Sequence, residues 1–262
     1  FRRVLFRSLR SNGQPGSAIV AYRRALALDP DQGGVLSNLG NALKDVGRLD
    51  EAVSTHYRAV KLEPRNVTTW QNLGVALRER GDLRDSLAAF QHVVNLNPEH
   101  VTAHTDRAQI HLMLGEFEEG WAEFEWRWKL PELRPPSYRQ PRWTGEEMPE
   151  STILIWPEQG FGDTLLGARY APMVKERVGR VILGCQKPLA RLFRTIPGID
   201  DVLVVGEKLP EFDVQCPYLS LPGIFGTDID SVPPPVPISV DDEARARFEP
   251  ILAPYEIGRA HV

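Results

Sequence analysis

Two patterns of hydrophobic residues divide the chain into two parts. Between residues 11 and 130, apolar and small residues recur at a helical spacing, and glycine or proline interrupts them at regular steps. This pattern predicts short antiparallel helices. From residue 151 onward, continuous apolar runs alternate with helical stretches, which is typical of buried parallel strands joined by helices. The chain is therefore predicted to contain an all-helical domain followed by an α/β domain.

The helical part is an internal repeat. Pro30, Pro64 and Pro98 recur at a spacing of 34 residues, which is the period of tetratricopeptide repeats. Each unit is predicted to hold two helices, with a glycine at the turn between them. A proline follows the second helix, because proline cannot continue a helix. The resemblance to tetratricopeptide proteins covers residues 9–130 and implies a partial first repeat, then units at 33–66, 67–100 and 101–130.

The last repeat departs from the pattern by its aromatic residues. Its second helix, predicted at 117–130, carries Trp121, Phe124, Trp126 and Trp128. This aromatic content suits a capping helix that packs against the next domain. The alternative is a platform on which a sugar ring stacks, and the sequence leaves both possibilities open.

Three histidines in the same region raise the possibility of a metal site. His100 and His104 could share a helical face, and His111 follows further along the chain. However, His100 lies before the helix proper, while His104 and His111 occupy packing positions of the repeat. We therefore predict no metal site here.

A polar residue recurs at one position of each first helix, namely Asn38, Asn72 and Asp106. First helices line the inside of a tetratricopeptide superhelix, so these side chains are expected to form a ladder along a peptide-binding groove. An amide carries both a donor and an acceptor and can bind the backbone of an extended peptide. The arrangement resembles the asparagine ladder of the O-GlcNAc transferase repeats. The alternative is that these residues cap local backbone or are solvated.

The second part follows a linker rich in proline and charge at 131–150, with Trp143 as its expected anchor. Strands are predicted at 153–156, 181–184, 202–205 and 212–216, and helices at 164–178, 188–195 and 219–225. This order predicts a mainly parallel sheet covered on both faces. Pro172 falls inside the first predicted helix and is expected to kink it.

The turn after the first strand carries the candidate chemistry. Gly160 and Gly162 permit positive φ and a close approach of backbone N–H groups to a ligand. Asp163 stands at the start of the next helix, where it either caps that helix or accepts a proton from a substrate hydroxyl. The glycine spacing does not match the dinucleotide fingerprint and no P-loop lysine follows, so neither site is expected.

Four segments carry a resemblance to a family of enzymes. They are GEFEEGWAEFEWRWKLP, QPRW, ILIWPEQGFGDTLLGARYAP and FDVQCPYLSLPGIFGT. These segments resemble bacterial fusions of tetratricopeptide repeats to a glycosyltransferase-like domain, which is similar to the ADP-heptose:lipopolysaccharide heptosyltransferases of GT-B architecture. The resemblance implies an α + α/β two-domain fold. In this fold a tetratricopeptide α-α superhelix precedes the N-terminal Rossmann-like half of a GT-B domain at 151–240.

The resemblance also implies roles for residues around the turn. Asp163 matches an aspartate implicated as the catalytic base of the heptosyltransferases, and the reaction needs no metal. Acceptor-binding residues are then expected at Gln159, Gly160, Gly162, Thr164 and Arg169. The sequence departs from the family at Ala171, where the family has threonine before the proline.

The resemblance leads to two functional hypotheses. The leading one is a glycosyltransferase whose repeats bind a protein or peptide while the α/β domain holds a glycan or protein acceptor. In the family the nucleotide-sugar donor, which is a substrate, binds mainly in a second Rossmann domain, and residues 241–255 would only begin it. The chain alone is therefore expected to be inactive, and no cofactor is expected. The alternative is a non-catalytic scaffold for protein–protein interaction.

The two ends of the sequence, residues 1–8 and 256–262, are set aside as artefacts. They can be back-translated into complementary codons that resemble a sequencing-library adapter. Setting them aside changes the net charge from −4 to −7, because the first segment holds three arginines while Glu256 and Arg259 cancel. An acidic chain without a basic stripe argues against a nucleic-acid partner.

The cysteine residues and the lengths of the apolar runs indicate the cellular compartment of the protein. Cys185 and Cys216 lack metal-ligand spacing, which favours a reducing cytoplasm and no zinc site. No apolar run in the sequence approaches the length of a membrane span. A cytoplasmic protein is therefore expected.

Overall fold

The computed structural model describes residues 15–133, 135–158, 160–237 and 242–252. The end segments 1–8 and 256–262 lie outside these residues. The chain divides into two compact units, Phe1–Arg134 and Pro135–Val262. The first unit is helical, and the second contains a sheet.

The first unit is a superhelix of repeated helices, which confirms the prediction made from the period of 34 residues. Its helices are α1 (Pro15–Leu28), α2 (Gly33–Asp45), α3 (Leu49–Leu62), α4 (Val67–Arg80), α5 (Leu83–Leu96), α6 (Val101–Leu114) and α7 (Phe117–Phe124). Each packs against the next helix in the chain, and the first helices α2 and α4 also touch. The last helix is shorter than predicted, because the chain continues as a 3-10 helix at Glu125–Lys129.

Close helix crossings explain the small residues of the repeat. A Cβ atom on Gly40 of α2 would lie 2.5 Å from Nε2 of the buried His56 in α3. A Cβ atom on Gly74 of α4 would lie 2.9 Å from the ring of the buried Phe90 in α5. Protein interiors are too closely packed to absorb such contacts without a shift. Glycine at these positions therefore sets how closely the two helices of a repeat approach.

The terminal repeat replaces a tryptophan by a histidine and keeps one of its contacts. Trp70 donates its ring N–H to the carbonyl oxygen of Pro64 at 2.9 Å. One repeat later, Nε2 of His104 lies 2.8 Å from the carbonyl oxygen of Pro98. A carbonyl only accepts, so Nε2 of His104 carries the proton. The imidazole also stacks on Trp126, with ring centroids 3.7 Å apart.

Within the described residues, the second unit contains a parallel four-stranded sheet. Its strands are β1 (Met148–Trp156), β2 (Val178–Cys185), β3 (Asp201–Val204) and β4 (Val214–Pro217). Their order is β3-β2-β1-β4, and every neighbouring pair is parallel. The parallel sheet is thus as predicted, whereas its membership of a GT-B fold stays a prediction.

Both faces of the central strands are buried, as continuous apolar runs predict. Ile153 and Ile155 of β1 belong to the main hydrophobic cluster of this unit. Leu154 of β1 and Ile182 of β2 belong to a second cluster with Phe212. Because alternate residues of a strand point to opposite faces, the two clusters lie on opposite sides of the sheet.

Part of the stretch predicted as a linker belongs to the sheet. β1 begins at Met148, inside the range 131–150. The backbone N–H of Trp143 donates to the carbonyl oxygen of Gln215 in β4 at 2.9 Å, and Gln215 N–H donates to the carbonyl oxygen of Pro141 at 3.1 Å. The Trp143 side chain is 2% exposed. Composition alone marks this stretch as irregular, but its backbone groups find partners on β4.

Short helices lie between the strands of the second unit and after its last strand. They are α8 (Phe161–Ala168), α9 (Ala171–Lys175), α10 (Ala190–Phe193), α11 (Leu221–Ile224) and α12 (Asp242–Leu252), with 3-10 turns at Lys187–Leu189 and Tyr218–Ser220. The single kinked helix predicted at 164–178 is two helices. Pro172 lies in the first turn of α9, where a missing N–H needs no partner. None of the helices in the described ranges combines the length and apolar character that crossing a bilayer requires.

Replacing Gly40 by alanine tests the close crossing of α2 and α3. Alanine favours a helix over glycine by about 1 kcal/mol, but its methyl group would lie 2.5 Å from Nε2 of His56. Overpacking of this kind costs about 1–3 kcal/mol. We expect Gly40→Ala to lower the free energy of unfolding by about 1 kcal/mol, measured by urea denaturation followed by circular dichroism.

Gly34→Ala, in the same helix, is the matched control. A Cβ atom there would meet only Oε1 of Glu63 at 4.0 Å, which is an ordinary contact. We expect this variant to be at least as stable as the original chain, because only the gain in helix propensity remains. Equal stability of the Gly40→Ala and Gly34→Ala variants would show that Gly40 does not constrain the crossing.

Two buried ionisable groups are expected to make the second unit sensitive to alkaline pH. Burial raises the pKa of the Cys185 thiol from 9.0 to about 11, and it raises the pKa of Tyr218 well above 10.0. The unfolded chain therefore releases these protons at a lower pH than the folded chain does. By linkage, the free energy of unfolding falls as the pH rises from 9.0 toward 11.

Urea unfolding curves across this pH window measure the loss, which is at most about 1.4 kcal/mol per pH unit for each group. The Cys185→Ala variant lacks the thiol proton, so we expect its free energy of unfolding to decline less steeply with pH. The comparison concerns the slopes, because the variant also loses packing at every pH. Identical slopes would contradict the role of Cys185.

Candidate functional site

Two surfaces of the described chain carry the candidate residues. The first is the face of α2, α4 and α6 that bears Asn38, Asn72 and Asp106, which we call the groove face. The second is the edge of the sheet at the carboxyl ends of its strands, which we call the carboxyl edge. It bears the turn that holds Asp163.

The first two positions of the ladder differ in their contacts. Asn72 of α4 donates its amide N–H to Oγ of Ser37 in α2 at 2.9 Å, so it links two consecutive repeats. Asn38 of α2 is partly exposed, and its amide makes no hydrogen bond to another described residue. Asn38 is therefore open to a ligand, whereas one donor of Asn72 is already used.

The third position is closed by an ion pair. Asp106 of α6 is buried and pairs with the guanidinium of Arg78 in α4. Burial raises the pKa of Asp106, and the attraction of Arg78 opposes this rise. The same guanidinium donates to Oε1 of Gln109 at 3.2 Å. Asp106 thus ties the last repeat to the one before it, and its role in peptide binding stays a prediction.

The three histidines all have contacts within the repeat. Nδ1 of His100 accepts from the backbone N–H of Ala103 at 3.2 Å, so His100 caps α6. Nδ1 of His111 lies 2.7 Å from Oε2 of Glu116, and this hydrogen bond holds the pKa of Glu116 below its ordinary value. Across residues 15–133, 135–158, 160–237 and 242–252, no group of three or more His, Cys, Asp or Glu side chains is arranged to hold a metal ion.

The aromatic residues near the end of the helical unit also contact neighbouring side chains. The ammonium of Lys129 lies 3.6 Å from the ring centroid of Trp126, whose ring also stacks on His104. The guanidinium of the buried Arg127 lies 4.3 Å from the ring centroid of Trp128. These cation–π and stacking contacts hold the rings within the helical unit, and both interpretations of the aromatic residues stay predictions.

At the carboxyl edge, the start of α8 differs from the expectation in two ways. Gly160, not Asp163, is the N-cap residue, and its φ of −74° is negative. Gly160 and Gly162 both lie outside the positive-φ region, so the turn does not need glycine for that reason. A Cβ atom on either glycine would meet nothing within 4 Å, which leaves the space above the turn open.

Asp163 lies in the first turn of α8 and is partly exposed. Its carboxylate makes no cap hydrogen bond and no ion pair with another described residue. The interpretation of Asp163 as a helix cap is therefore wrong. The alternative, a proton acceptor that faces a substrate, stays a prediction.

The remaining predicted residues do not all meet at this turn. Thr164 is buried, and its hydroxyl donates to the carbonyl oxygen of Gly160 at 3.1 Å and accepts from Nε2 of Gln186 at 3.2 Å. Arg169 is the C-cap of α8, roughly 9 Å along the helix from Asp163 at 1.5 Å per residue. Gln159 lies outside the described residues.

Two residues at the carboxyl edge were not predicted. Oε1 of Glu158, just after β1, accepts from the backbone N–H of Leu219, just after β4, at 2.9 Å. Gln186 follows β2 directly and reaches Thr164. Both are polar residues within two positions of the end of an apolar strand, and this position was the signal that could have found them.

The turn that holds Asp163 follows β1, the strand at which the order of the sheet reverses. From β1 the chain adds β2 and β3 on one side, and then crosses to add β4 on the other side of β1. In open α/β sheets, ligands bind outside the carboxyl ends of the strands where the order reverses in this way. The turn Gly160–Asp163 and the contact between Glu158 and Leu219 both lie at that point.

Family comparisons concern the helical unit. A family model described as TPR repeat matches residues 7–47, and two described as tetratricopeptide repeat match residues 35–68 and 72–125. The helical unit is built of tetratricopeptide repeats. The prediction from the prolines is thereby confirmed.

Similar proteins match about half of the chain or less. The chain is 34% identical over 100 residues to Protein FlbA of Caulobacter vibrioides. The matched stretch covers 36% of this chain and 17% of that protein. The chain thus spans a small part of the length of this curated relative. The crystal structure of MamA is similar at 22% identity and a TM-score of 0.45, over 47% of this chain and 72% of that chain. MamA from Desulfovibrio magneticus RS-1 matches at 18% identity and a TM-score of 0.46, over 50% of this chain and 73% of that chain.

Proposed function

We propose that the chain acts as a protein-binding scaffold, with the groove face holding an extended segment of a partner. The observation that carries this proposal is the series of tetratricopeptide repeats matched between residues 7 and 125. Such repeats imply a protein–protein interaction scaffold, because their stacked first helices form an extended concave surface. Asn38 supports the proposal, since its partly exposed amide has no hydrogen-bond partner among the described residues.

Selection of peptides from a displayed random library tests the scaffold function. We expect the chain to select unstructured peptides, with dissociation constants measurable by fluorescence anisotropy. The double variant Asn38→Ala with Asn72→Ala should weaken binding by about tenfold to a hundredfold, because two hydrogen bonds contribute roughly 1–3 kcal/mol.

The matched control is the double variant Gln91→Ala with Asn95→Ala. These two amides lie on the second helix α5 and hydrogen-bond to each other at the surface, with 2.8 Å between Nε2 and Oδ1. We expect the control variant to bind the selected peptides like the original chain. Equal weakening by both double variants, or a selection that yields no peptide, would refute the proposal.

We propose a second function, sugar transfer from a nucleotide sugar, for the carboxyl edge. The observation that favours it is Asp163, a partly exposed carboxylate at the reversal point of the sheet that does not cap its helix. A general base must be able to reach a substrate hydroxyl, and this position supports such contact. The Rossmann-like half of a GT-B domain at 151–240 and acceptor contacts at Gly160 and Gly162 belong to this proposal.

The variant Asp163→Asn tests the second function in the complete gene product, because the donor pocket is expected outside this chain. Loss of a general base lowers the rate by about 10²–10⁴-fold, so we expect transfer from a diphosphosugar to fall by that factor. Asp230→Asn, which neutralises an exposed carboxylate after α11, is the control and should keep its rate. Transfer by Asp163→Asn at the original rate would remove the assigned base.

A further inference from the structure

The turn that holds Asp163 has few contacts of its own. A Cβ atom on Gly160 or Gly162 would meet nothing within 4 Å, and no side chain caps the start of α8. Glycine has more accessible backbone angles than any other residue, so fixing such a turn costs more conformational entropy. A general base must nevertheless lie within hydrogen-bond reach of the hydroxyl that it deprotonates. The turn therefore needs restraint from residues outside it.

Thr164 restrains the turn from the side of β2. Its side chain is fully buried, and its hydroxyl donates to the carbonyl oxygen of Gly160 at 3.1 Å. The same hydroxyl accepts from Nε2 of Gln186 at 3.2 Å. Gln186 directly follows β2, which lies beside β1 in the sheet. The hydroxyl thus joins the first turn of α8 to the end of a neighbouring strand.

A second contact restrains the turn from the side of β4. Oε1 of Glu158 accepts from the backbone N–H of Leu219 at 2.9 Å. Glu158 lies two residues after β1, and Leu219 lies two residues after β4, which is on the other side of β1 from β2. The residues before and after the turn are therefore bonded to the two strands that flank β1.

The buried hydroxyl of Thr164 adds direction rather than stability. Valine has the same branched shape, and a hydrogen bond contributes little net free energy because its groups were bonded to water before folding. Without the hydroxyl, the carbonyl of Gly160 would keep the backbone N–H of Thr164 as a donor at 3.3 Å. Gln186 is partly exposed, so its amide can turn toward water. What the hydroxyl adds is therefore a fixed link between the turn and β2.

We propose that Thr164 and Gln186 are positioning residues, which fix the carboxylate of Asp163 toward the hydroxyl of the acceptor. The inference rests on the proposed sugar transfer. Thr164 directly follows Asp163 in the chain, so a shift of its backbone carries Asp163 with it. Thr164 acts through Asp163 rather than by contact with the acceptor, because its own side chain is buried. Misplacing a catalytic group by about 1 Å lowers a rate about 10²-fold.

Kinetics of the complete gene product test this inference, with UDP-, GDP- and ADP-sugars as donors and serine peptides and simple glycosides as acceptors. We expect Thr164→Val to lower kcat by about tenfold to a hundredfold, because the base is no longer aligned. The KM for the sugar nucleotide should stay within about twofold, since the donor pocket is expected outside this chain. Thr164→Ser keeps the hydroxyl and should bring kcat within about threefold of the original. An original kcat in the Thr164→Val variant would overturn the inference.

A double-mutant cycle separates positioning from support of the fold. In the Asp163→Asn background, we expect Thr164→Val and Gln186→Met each to change kcat by less than about twofold, because no base remains to be aligned. Gln186→Met keeps the length of the side chain and removes its amide. An equal loss of rate in both backgrounds would show a general structural effect and would contradict the positioning role.

Hydrogen exchange of this chain tests the restraint itself. We expect Thr164→Val and Gln186→Met to speed exchange of the backbone N–H groups at the start of α8 by about tenfold, because the turn opens more often. The midpoint of urea unfolding should shift by less than about 0.5 M, since the hydroxyl adds little stability. Unchanged exchange at the start of α8, or a larger fall of the midpoint, would also contradict the positioning role.

Thr227→Val is the matched control. Its side chain is also buried, and its hydroxyl accepts from the hydroxyl of Tyr170 at 3.0 Å. Tyr170 lies beyond the other end of α8. We expect this variant to keep the original kcat and the original exchange at the start of α8. The same losses in Thr227→Val as in Thr164→Val would show that any buried hydroxyl of the unit has this effect.

The outcomes distinguish the inference from the function on which it rests. If the complete gene product transfers no sugar, or if Asp163→Asn keeps the original rate, the proposed sugar transfer fails and the positioning role with it. If Asp163→Asn loses the rate while Thr164→Val keeps it, sugar transfer stands and the positioning role is wrong.

Discussion

Close packing against positions without a side chain is the constraint on which both units depend. In the helical unit, Gly40 and Gly74 let the two helices of a repeat approach within the space that a methyl group would fill. In the second unit, a Cβ atom on Gly167 of α8 would lie 2.6 Å from the side chain of Tyr218. Tyr218 is itself fixed by a hydrogen bond from its hydroxyl to the carbonyl oxygen of Gly184 at 3.0 Å. The position of α8, and of the turn before it, therefore depends on a residue that has no side chain.

The fold could be predicted from sequence where the deciding interactions are local. A proline every 34 residues, with glycine at the turns, fixes the helix pairs because both residues act on their own backbone. Continuous apolar runs predicted the parallel strands, because burial on both faces of a strand is also visible in a short stretch of sequence. The pairing of Trp143 with Gln215 was not predictable, because it joins backbone groups far apart in the chain and leaves no periodic pattern. The end of α7 at Phe124 was not predictable either, because no glycine or proline lies between Phe124 and Pro131.

The candidate sites likewise combine features that local sequence predicts with features that depend on residues far apart in the chain. The turn that holds Asp163 was predicted correctly as the link between a strand and a helix, but its cap residue was not. Which residue caps a helix depends on the backbone angles of the turn, which Gly160 and Gly162 leave open. Glu158 acquires its role only through Leu219, which lies on another connection of the sheet. On the groove face, sequence identified the equivalent positions of the first helices, but not that Asp106 is bound by Arg78 from the preceding repeat.

The backbone pairing of Pro141–Trp143 has a consequence for the outer side of β4. A strand at the end of a sheet presents free N–H and C=O groups that can recruit a strand from another molecule. Here both backbone groups of Gln215 on that side are already bonded within the chain, and the buried indole of Trp143 holds the segment in place. The stretch rich in proline thus covers the β4 edge at Gln215 and hinders another strand from pairing there, a protective task that its composition does not suggest.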